Sequence, residues 1–250
     1  MPAHEPANPA AALIETLPNG VRVVALPMPH LHTASVSVFV RVGSAHESHA
    51  LNGIGHVLEH MAFKGTRERD AHRVNLDAER LGAEVNAHTD KDHTAYHMRG
   101  LGAHAPQLVA MLADIVRHAT FPDDELARER EVLLQEVAEV EDDPMTIAYQ
   151  QFDQACWGSH PAAQPVIGQR RVIERCTRAQ LIEHVHQSAS RGVCRCAPCC
   201  TCNNAADTHT NRTDRPGSIA THHHNAPCRR TTVLDALYAV RTVCPGHLSC

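Results

Sequence analysis

Aromatic side chains are scarce in this sequence, because Phe, Trp and Tyr together make up 3% of the 250 residues. Proteins that bind nucleic acid commonly stack bases on aromatic rings and attract phosphates with positive charge, whereas the formal net charge here is −5. The sequence also has no run of about 18 apolar residues, the length that a membrane-spanning helix requires. We therefore expect neither nucleic acid nor a membrane span.

The N-terminus lacks the features of a secretory signal peptide, because residues 1–17 have neither a basic start nor a long apolar core. It is also too acidic and too poor in Arg for a usual mitochondrial transit peptide. These absences favour a soluble protein of the bacterial cytoplasm over one of the mitochondrial matrix. Residues 1–12 are rich in Pro and Ala and are expected to be disordered.

The composition changes near Gln187. Residues 1–187 contain 25 Asp and Glu against 16 Lys and Arg, whereas residues 188–250 contain 3 acids against 7 Arg. Eight of the ten cysteines also lie after this break. We therefore predict an acidic domain over residues 13–187 and a Cys-, His- and Arg-rich tail over residues 188–250 that does not continue it.

Apolar periodicity before the break predicts a domain of mixed α and β structure. Val36, Val38 and Val40 alternate with Ser and Phe, which is typical of a strand with one well-buried face. This strand and the one before it are expected to form a hairpin-like pair. The predicted strands cover 21–26, 34–42, 82–88 and 93–98, and the predicted helices cover 53–66, 71–81, 105–118 and 123–141.

The stretch His56-Val-Leu-Glu-His60 has the spacing of a metal-binding helix. Residues three and four apart share one face of a helix, so His56, Glu59 and His60 point the same way. Two imidazoles one turn apart can hold one divalent metal, and the carboxylate between them can reach a nearby water. This pattern is the reversed form of the commoner His-Glu-x-x-His zinc helix. The plainer alternative is a half-buried helix with a His–Glu hydrogen bond.

The acidic helix predicted over 123–141 offers a further ligand. Most of its carboxylates are expected to form a solvated face. Glu129 and Glu136 differ, because they lie seven residues apart on one stripe near Leu133. A carboxylate on an apolar stripe is costly to bury unless it meets a cation or a metal. This pair is therefore the predicted source of the third ligand.

In this order and at these spacings the motifs resemble a known family, the pitrilysin-like zinc metallopeptidases (inverzincins). Over about residues 15–187 the chain is similar to the N-terminal domain of the mitochondrial processing peptidase β-type subunit and its bacterial homologues. The resemblance implies an α+β fold, an antiparallel-rich sheet with helices packed on one face, that is C-terminally incomplete here. The matching segments are 17–24, 42–47, 52–66, 86–89, 94–96, 128–136, 143–144 and 165–168.

The resemblance implies a zinc metalloendopeptidase that binds one Zn²⁺ per chain. His56 and His60 match the two zinc histidines, and Glu136 matches the third zinc ligand. Glu59 matches the catalytic general base, and Glu129 matches the glutamate that supports the zinc histidines from the outer shell. Two imidazoles, one carboxylate and one open position fit a catalytic zinc site. Glu59 would take a proton from the attacking water and pass it to the leaving amine.

The resemblance also implies a substrate-binding strand. Asn86 and Ala87 match the strand edge that pairs with an extended peptide substrate, such as a presequence. His88, His93 and His97 lie near this strand, and we assign them to surface or packing roles rather than to substrate contact.

The resemblance stops near residue 187, where a family member is expected to continue with a further strand and helix. The five cysteines between residues 194 and 202 could supply thiolates to a metal, but they lack two separated Cys-x-x-Cys pairs. The composition of the tail also fits a GC-rich gene translated out of frame, and we favour this interpretation. A short helix is expected over 231–243.

The sequence leaves three functions open. The first is the zinc peptidase, which would work with a second peptidase-like domain or subunit as its partner. The second is a catalytically inactive fragment, or a non-peptidase partner subunit, that still binds zinc. The third is a Cys/His metal-storage tail on an inert carrier, which predicts several metals per chain rather than one.

Overall fold

The computed structural model describes residues 12–191 and the strand Ala236–Arg241. The predictions for residues 1–11 and for the cysteine cluster of the tail lie outside this part, and the domain division at residue 187 stays a prediction. The strands are β1 (Leu13–Thr16), β2 (Arg22–Ala25), β3 (Thr33–Val40), β4 (Glu84–Thr89), β5 (Thr94–Leu101) and β6 (Ala236–Arg241). The helices are α1 (Ile54–Ala62), α2 (Ala71–Arg80), α3 (Ala105–His118), α4 (Asp123–Glu141), α5 (Pro144–Trp157), α6 (Arg170–Arg175) and α7 (Arg178–Arg191).

The described strands form one sheet in the order β1-β2-β6-β3-β5-β4. Every pairing is antiparallel except that of β2 with β6. The predicted hairpin-like pairing of β2 with β3 is wrong, because β6 lies between them. The predicted helix over 231–243 is also wrong at residues 236–241, which pair as a strand on both sides. Backbone pairing with distant strands overrides the local sequence preference here.

Helices α2 and α3 cover one face of the sheet, which confirms the predicted α+β architecture. Val36 and Val38 of β3 and Met98 of β5 have no exposed surface, and they pack with Leu108 and Leu112 of α3. The serines that alternate with these valines are only partly buried. The period-two pattern therefore marks the face that carries the helices, as predicted.

A second apolar cluster holds α1 against α4, α6 and α7. It includes Ile54 and Met61 of α1, Leu133 of α4, Ile173 of α6 and Leu181 of α7, all with at most 1% of their surface exposed. Gly55 allows α1 to approach the preceding loop closely, since a side chain at this position would meet the carboxylate of Glu47. The helix with the histidine motif is thus fixed on several sides by packing.

Helix α5 packs less deeply than its neighbours, and none of its residues is fully buried. Met145, Tyr149 and Phe152 lie along its outward side with more than 60% of their surface exposed. No helix in the described part of the chain is both long and apolar enough to cross a membrane.

The packing of α3 on the sheet gives a first prediction. Leu112→Ala should lower the free energy of unfolding by about 2–5 kcal/mol, because it leaves a cavity in the core. Leu101→Ala is the matched control, since the Leu101 side chain is half exposed. Urea unfolding of both variants tests this, and equal losses would contradict the assignment of Leu112 to the core.

Candidate metal centre

Helix α1 begins on a buried carboxylate. The Glu47 side chain accepts hydrogen bonds from the backbone N–H of Gly53 at 2.7 Å, from that of Gly55 at 2.7 Å and from Asn52 Nδ2 at 3.0 Å. Burial raises the pKa of Glu47, and these hydrogen bonds oppose the rise. A carboxylate at this end also complements the helix dipole. The first turn of α1, which carries His56, is therefore tied to the preceding loop.

The segment after α1 is tied to α3 through Asp114. Its carboxylate accepts hydrogen bonds from Thr66 Oγ1 at 2.8 Å and Arg69 Nη1 at 2.6 Å, and it lies 3.0 Å from His118 Nδ1. Burial opposes ionisation, but the hydrogen bonds from these three side chains prevail and lower the pKa of Asp114. Both ends of the helix are thus held by carboxylates.

Three donor atoms converge where α1 faces α4. Glu136 Oε2 lies 3.4 Å from His56 Nε2 and 3.6 Å from His60 Nε2. Zinc–nitrogen bonds of 2.0–2.1 Å in a tetrahedral site place donors about 3.3 Å apart. The donor set therefore fits a zinc ion, and the structure brings together the three residues predicted to hold one.

Glu129 lies behind His60, on the side away from the donor group. Its Oε2 is 3.1 Å from His60 Nδ1, and its Oε1 is 2.5 Å from Lys64 Nζ. Because the carboxylate is buried, the Lys64 ammonium offsets the cost of removing its charge from water. Such a carboxylate–histidine pair fixes the ring orientation and makes the opposite nitrogen a better donor. Glu129 thus lies in contact with His60, and its supporting role stays a prediction.

His56 is the most buried of the three donors, with 11% of its side chain exposed. Burial lowers the pKa of His56, and repulsion by a protonated His60 lowers it further. Glu136 acts in the opposite direction but does not prevail. Burial thus favours the neutral imidazole, which is the form that binds a metal.

The third residue of the motif, Glu59, lines a cleft beside the donor group. This cleft has a volume of about 190 Å³ and is lined by Glu59, His60, Phe63, Lys64, Asn86 and Glu129. Glu59 also lies close enough to the buried Tyr96 that, after burial itself, its charge raises the pKa of that hydroxyl. The predicted general base and the predicted substrate strand therefore border the same space.

Strand β4, which carries Asn86 and Ala87, lies at the end of the sheet and pairs with β5 alone among the described strands. The Asn86 side-chain oxygen accepts a hydrogen bond from the Ala87 N–H at 2.8 Å. An incoming strand that bonds to this N–H would have to displace the Asn86 side chain. The outer edge of β4 can thus accept a further strand, although the Ala87 N–H is already bonded to the Asn86 side chain.

The other predicted histidines do not join the metal donors. His88 lies with its ring centre 5.5 Å from that of His93 and 6.0 Å from that of His97. Burial, and then repulsion by His88, lowers the pKa of His97. These side chains form a row beside the substrate strand.

Sequence reasoning assigned no role to two residues that the site uses, Glu47 and Lys64. Both fall within the motifs at 42–47 and 52–66 that carry the resemblance. Glu47 precedes the first residue of α1 by seven positions, so no local sequence pattern reveals that its side chain bonds to the start of that helix. The contact of Lys64 with Glu129 spans 65 residues of sequence, and no local pattern reveals it.

Two histidines and a glutamate, beside a sheet edge that has no partner among the described strands, have the composition of a site found in zinc metallopeptidases. The profile of one family, described as Insulinase (Peptidase family M16), matches residues 22–170. The chain belongs to this family.

Curated relatives agree with the family assignment, and a solved structure shares the fold. An uncharacterised zinc protease of Mycobacterium tuberculosis is 42% identical over 184 residues, which are 72% of this chain and 42% of that protein. Bovine mitochondrial cytochrome b-c1 complex subunit 1 is 34% identical over 182 residues, 72% of this chain and 38% of that protein. The crystal structure of a protease from Helicobacter pylori superimposes with a TM-score of 0.72 at 22% identity, covering 96% of this chain and 48% of that one. The chain spans less than half the length of these proteins.

The burial of His56 predicts how stability depends on pH. Above its ordinary pKa of 6.5 the residue is neutral in both the folded and the unfolded chain. Below that value the unfolded chain takes up a proton that the folded chain excludes, so the folded state becomes less stable as the pH is lowered. Relative to His56→Gln, the metal-free protein should lose up to about 1.4 kcal/mol of unfolding free energy for each unit by which the pH is lowered.

Urea unfolding of the two chelator-treated proteins between pH 5 and pH 8 measures this difference. Comparison with His56→Gln cancels the contributions of the other histidines. A difference that stays constant across this range would contradict the low pKa of His56.

Proposed function

We propose that this chain is the catalytic domain of a zinc metalloendopeptidase that hydrolyses peptide bonds in extended peptides. The observation that carries the proposal is the convergence of His56 Nε2, His60 Nε2 and Glu136 Oε2 next to a cleft that contains Glu59. The plainer alternative, a single His–Glu hydrogen bond, does not account for both imidazole Nε2 atoms facing one carboxylate. A donor set of this composition leaves the fourth position for a reactant.

The described residues take separate roles in this proposal. His56, His60 and Glu136 would hold the zinc ion, which supplies the Lewis acidity that polarises a carbonyl and acidifies water. Glu59 would accept a proton from the attacking water and deliver it to the nitrogen of the leaving amine. Glu129, between His60 and Lys64, would keep the His60 ring in its binding orientation.

The substrate class follows from the sheet edge. Strand β4 has no partner on its outer side among the described strands, and its Asn86 side chain lines the same cleft as Glu59. A peptide in extended conformation can add to such an edge through main-chain hydrogen bonds. A folded protein segment offers no free strand, so unfolded or extended substrates are favoured.

A second candidate function is a zinc-binding partner subunit without peptidase activity of its own. The observation in its favour is that one relative, 34% identical over 182 residues, is named as a subunit of the bovine cytochrome b-c1 complex. This candidate predicts zinc binding without turnover.

Glu59→Gln separates the role of the general base from that of the metal donors. The variant should keep its zinc, because Glu59 is not among the three converging donors. Its rate of peptide hydrolysis should fall by about 10²–10⁴-fold, because the proton acceptor is lost. Cleavage of an unstructured fluorogenic peptide and the zinc content of the same samples provide the two readouts.

Glu131→Gln is the matched control, since Glu131 is an exposed carboxylate on α4. It should leave both readouts unchanged. Retained turnover in Glu59→Gln would refute the mechanism. Zinc binding without turnover in the unsubstituted chain would instead support the partner subunit.

Metal stoichiometry tests the proposal against a metal-storage tail. The purified chain should bind one zinc per molecule, and Glu136→Ala should lower that affinity because it removes one of three donors. Mass spectrometry under native conditions counts the bound ions. Several ions per chain, unaffected by Glu136→Ala, would show that the metal binds elsewhere.

A further inference from the structure

We propose that segment 165–168 positions the first metal histidine. In this proposal the main-chain carbonyl of Ile167 accepts a hydrogen bond from the Nδ1–H of His56, which leaves Nε2 to face the metal. Segment 165–168 is one of the segments that resemble the pitrilysin-like family, and it carries none of the proposed metal donors. The inference rests on the proposed metal site and adds a positioning element to it.

The environment of His56 Nδ1 requires an explanation. This atom is fully buried and makes no hydrogen bond of ordinary geometry. The main-chain carbonyl of Ile167 is the hydrogen-bond acceptor next to the ring. An imidazole nitrogen that is removed from water and left unpaired carries a free-energy cost. A small shift of the ring towards Ile167 would remove this cost.

The segment is held in place by contacts with the loop before α1. Asn52 Nδ2 donates a hydrogen bond to the Pro165 carbonyl at 3.0 Å, and the backbone N–H of Gln169 donates to the Asn52 carbonyl at 3.1 Å. Gln164, which is 3% exposed, donates through Nε2 to the carbonyl of Glu47 at 2.9 Å. Residues on both sides of Ile167 are therefore bonded to the chain that leads into the metal helix.

Two glycines set the closeness of this contact. A Cβ atom on Gly168 would lie 2.3 Å from the Cα of Gly53, and one on Gly53 would lie 2.7 Å from the Cα of Gly168. The atoms that would clash belong to the backbone and cannot rotate away. The two segments touch because neither residue has a side chain, which brings the Ile167 carbonyl towards His56.

The two metal histidines are therefore oriented by different groups. His60 Nδ1 faces the Glu129 carboxylate at 3.1 Å, whereas His56 Nδ1 is buried with no carboxylate beside it and is proposed to donate to the Ile167 carbonyl. Both acceptors would select the tautomer with the proton on Nδ1 and the free lone pair on Nε2. Because a carbonyl carries no charge, only one of the two imidazoles would be supported by a carboxylate.

Gly168→Ala tests the role of the segment. The new methyl group should push the segment away from Gly53 and withdraw the Ile167 carbonyl. Loss of such an outer partner typically weakens metal affinity by about 10–100-fold. Competition for zinc with a chromophoric chelator measures this affinity without reference to turnover.

Gly82→Ala is the matched control. Gly82 has a φ of +59° and Gly168 has a φ of +86°, so alanine is strained at both, but a Cβ on Gly82 would meet no atom within 4 Å. The control therefore reports the backbone strain without the displacement of a neighbouring segment. A zinc affinity of Gly168→Ala equal to that of Gly82→Ala would overturn the proposal.

A second measurement keeps the proposal testable if Gly168→Ala does not fold. Nitrogen-15 NMR of histidine-labelled, zinc-loaded protein should show two metal-bound imidazoles, each with a slowly exchanging proton on Nδ1. Glu129→Gln should shift only the signal of His60, which leaves the other signal to His56. A His56 ring that binds zinc through Nδ1, or whose Nδ1 proton exchanges rapidly, would refute the proposal.

The outcomes separate this inference from the proposed function. If the unsubstituted chain binds no zinc, the metal centre itself is refuted and the inference falls with it. If it binds zinc while Gly168→Ala and the control behave alike, the metal centre stands and the inference alone is wrong.

Discussion

The packing of α1 against α4 is the interaction on which the site depends. Two of the three proposed metal donors project from α1 and the third from α4, so the donor set exists only while these helices are in contact. Apolar side chains of both helices, among them Met61 and Leu133, are fully buried and hold them together. Burial of such side chains contributes about 1.5–3 kcal/mol each. The metal site is thus a product of hydrophobic packing, and its polar groups are carried into place by it.

Carrying polar groups into this position has a cost that the surrounding residues offset. Glu47 and Glu129 are both buried, and each carboxylate would be strongly unfavourable without partners. Glu47 receives three hydrogen bonds at the start of α1, and Glu129 is paired with Lys64 and His60. Hydrogen bonds to charged groups are worth about 1.5–3 kcal/mol. The hydrogen bonds and ion pair of Glu47 and Glu129 therefore offset the cost of burying these carboxylates and fix the orientation of α1.

The fold leaves the site open on the side where substrate is proposed to bind. Strand β4 has a free edge among the described strands, and the cleft with Glu59 lies beside it. The relatives that the chain matches are more than twice as long as the matched region. Hydrolysis requires a site that holds its substrate and excludes bulk water.

Local sequence determined much of the secondary structure and pointed to the residues proposed as metal donors. The alternation in β3 and the spacing of His56 and His60 each reflect a repeat within a few residues, so they can be read before any tertiary contact is known. Glu136 followed from its position on an apolar stripe and from the resemblance. The predicted α+β fold is confirmed, and so are the four helices predicted between residues 53 and 141.

Tertiary structure decided the features that join distant parts of the chain. The insertion of β6 between β2 and β3 brings a strand from near residue 240 into the sheet. No sequence pattern in β2 or β3 predicts this insertion. The partner of Lys64, Glu129, is likewise separated from it by 65 residues. Strand pairing and buried hydrogen bonds have no fixed sequence separation. The sequence by itself therefore determined the local elements and the donors, and the packed fold determined what orients them.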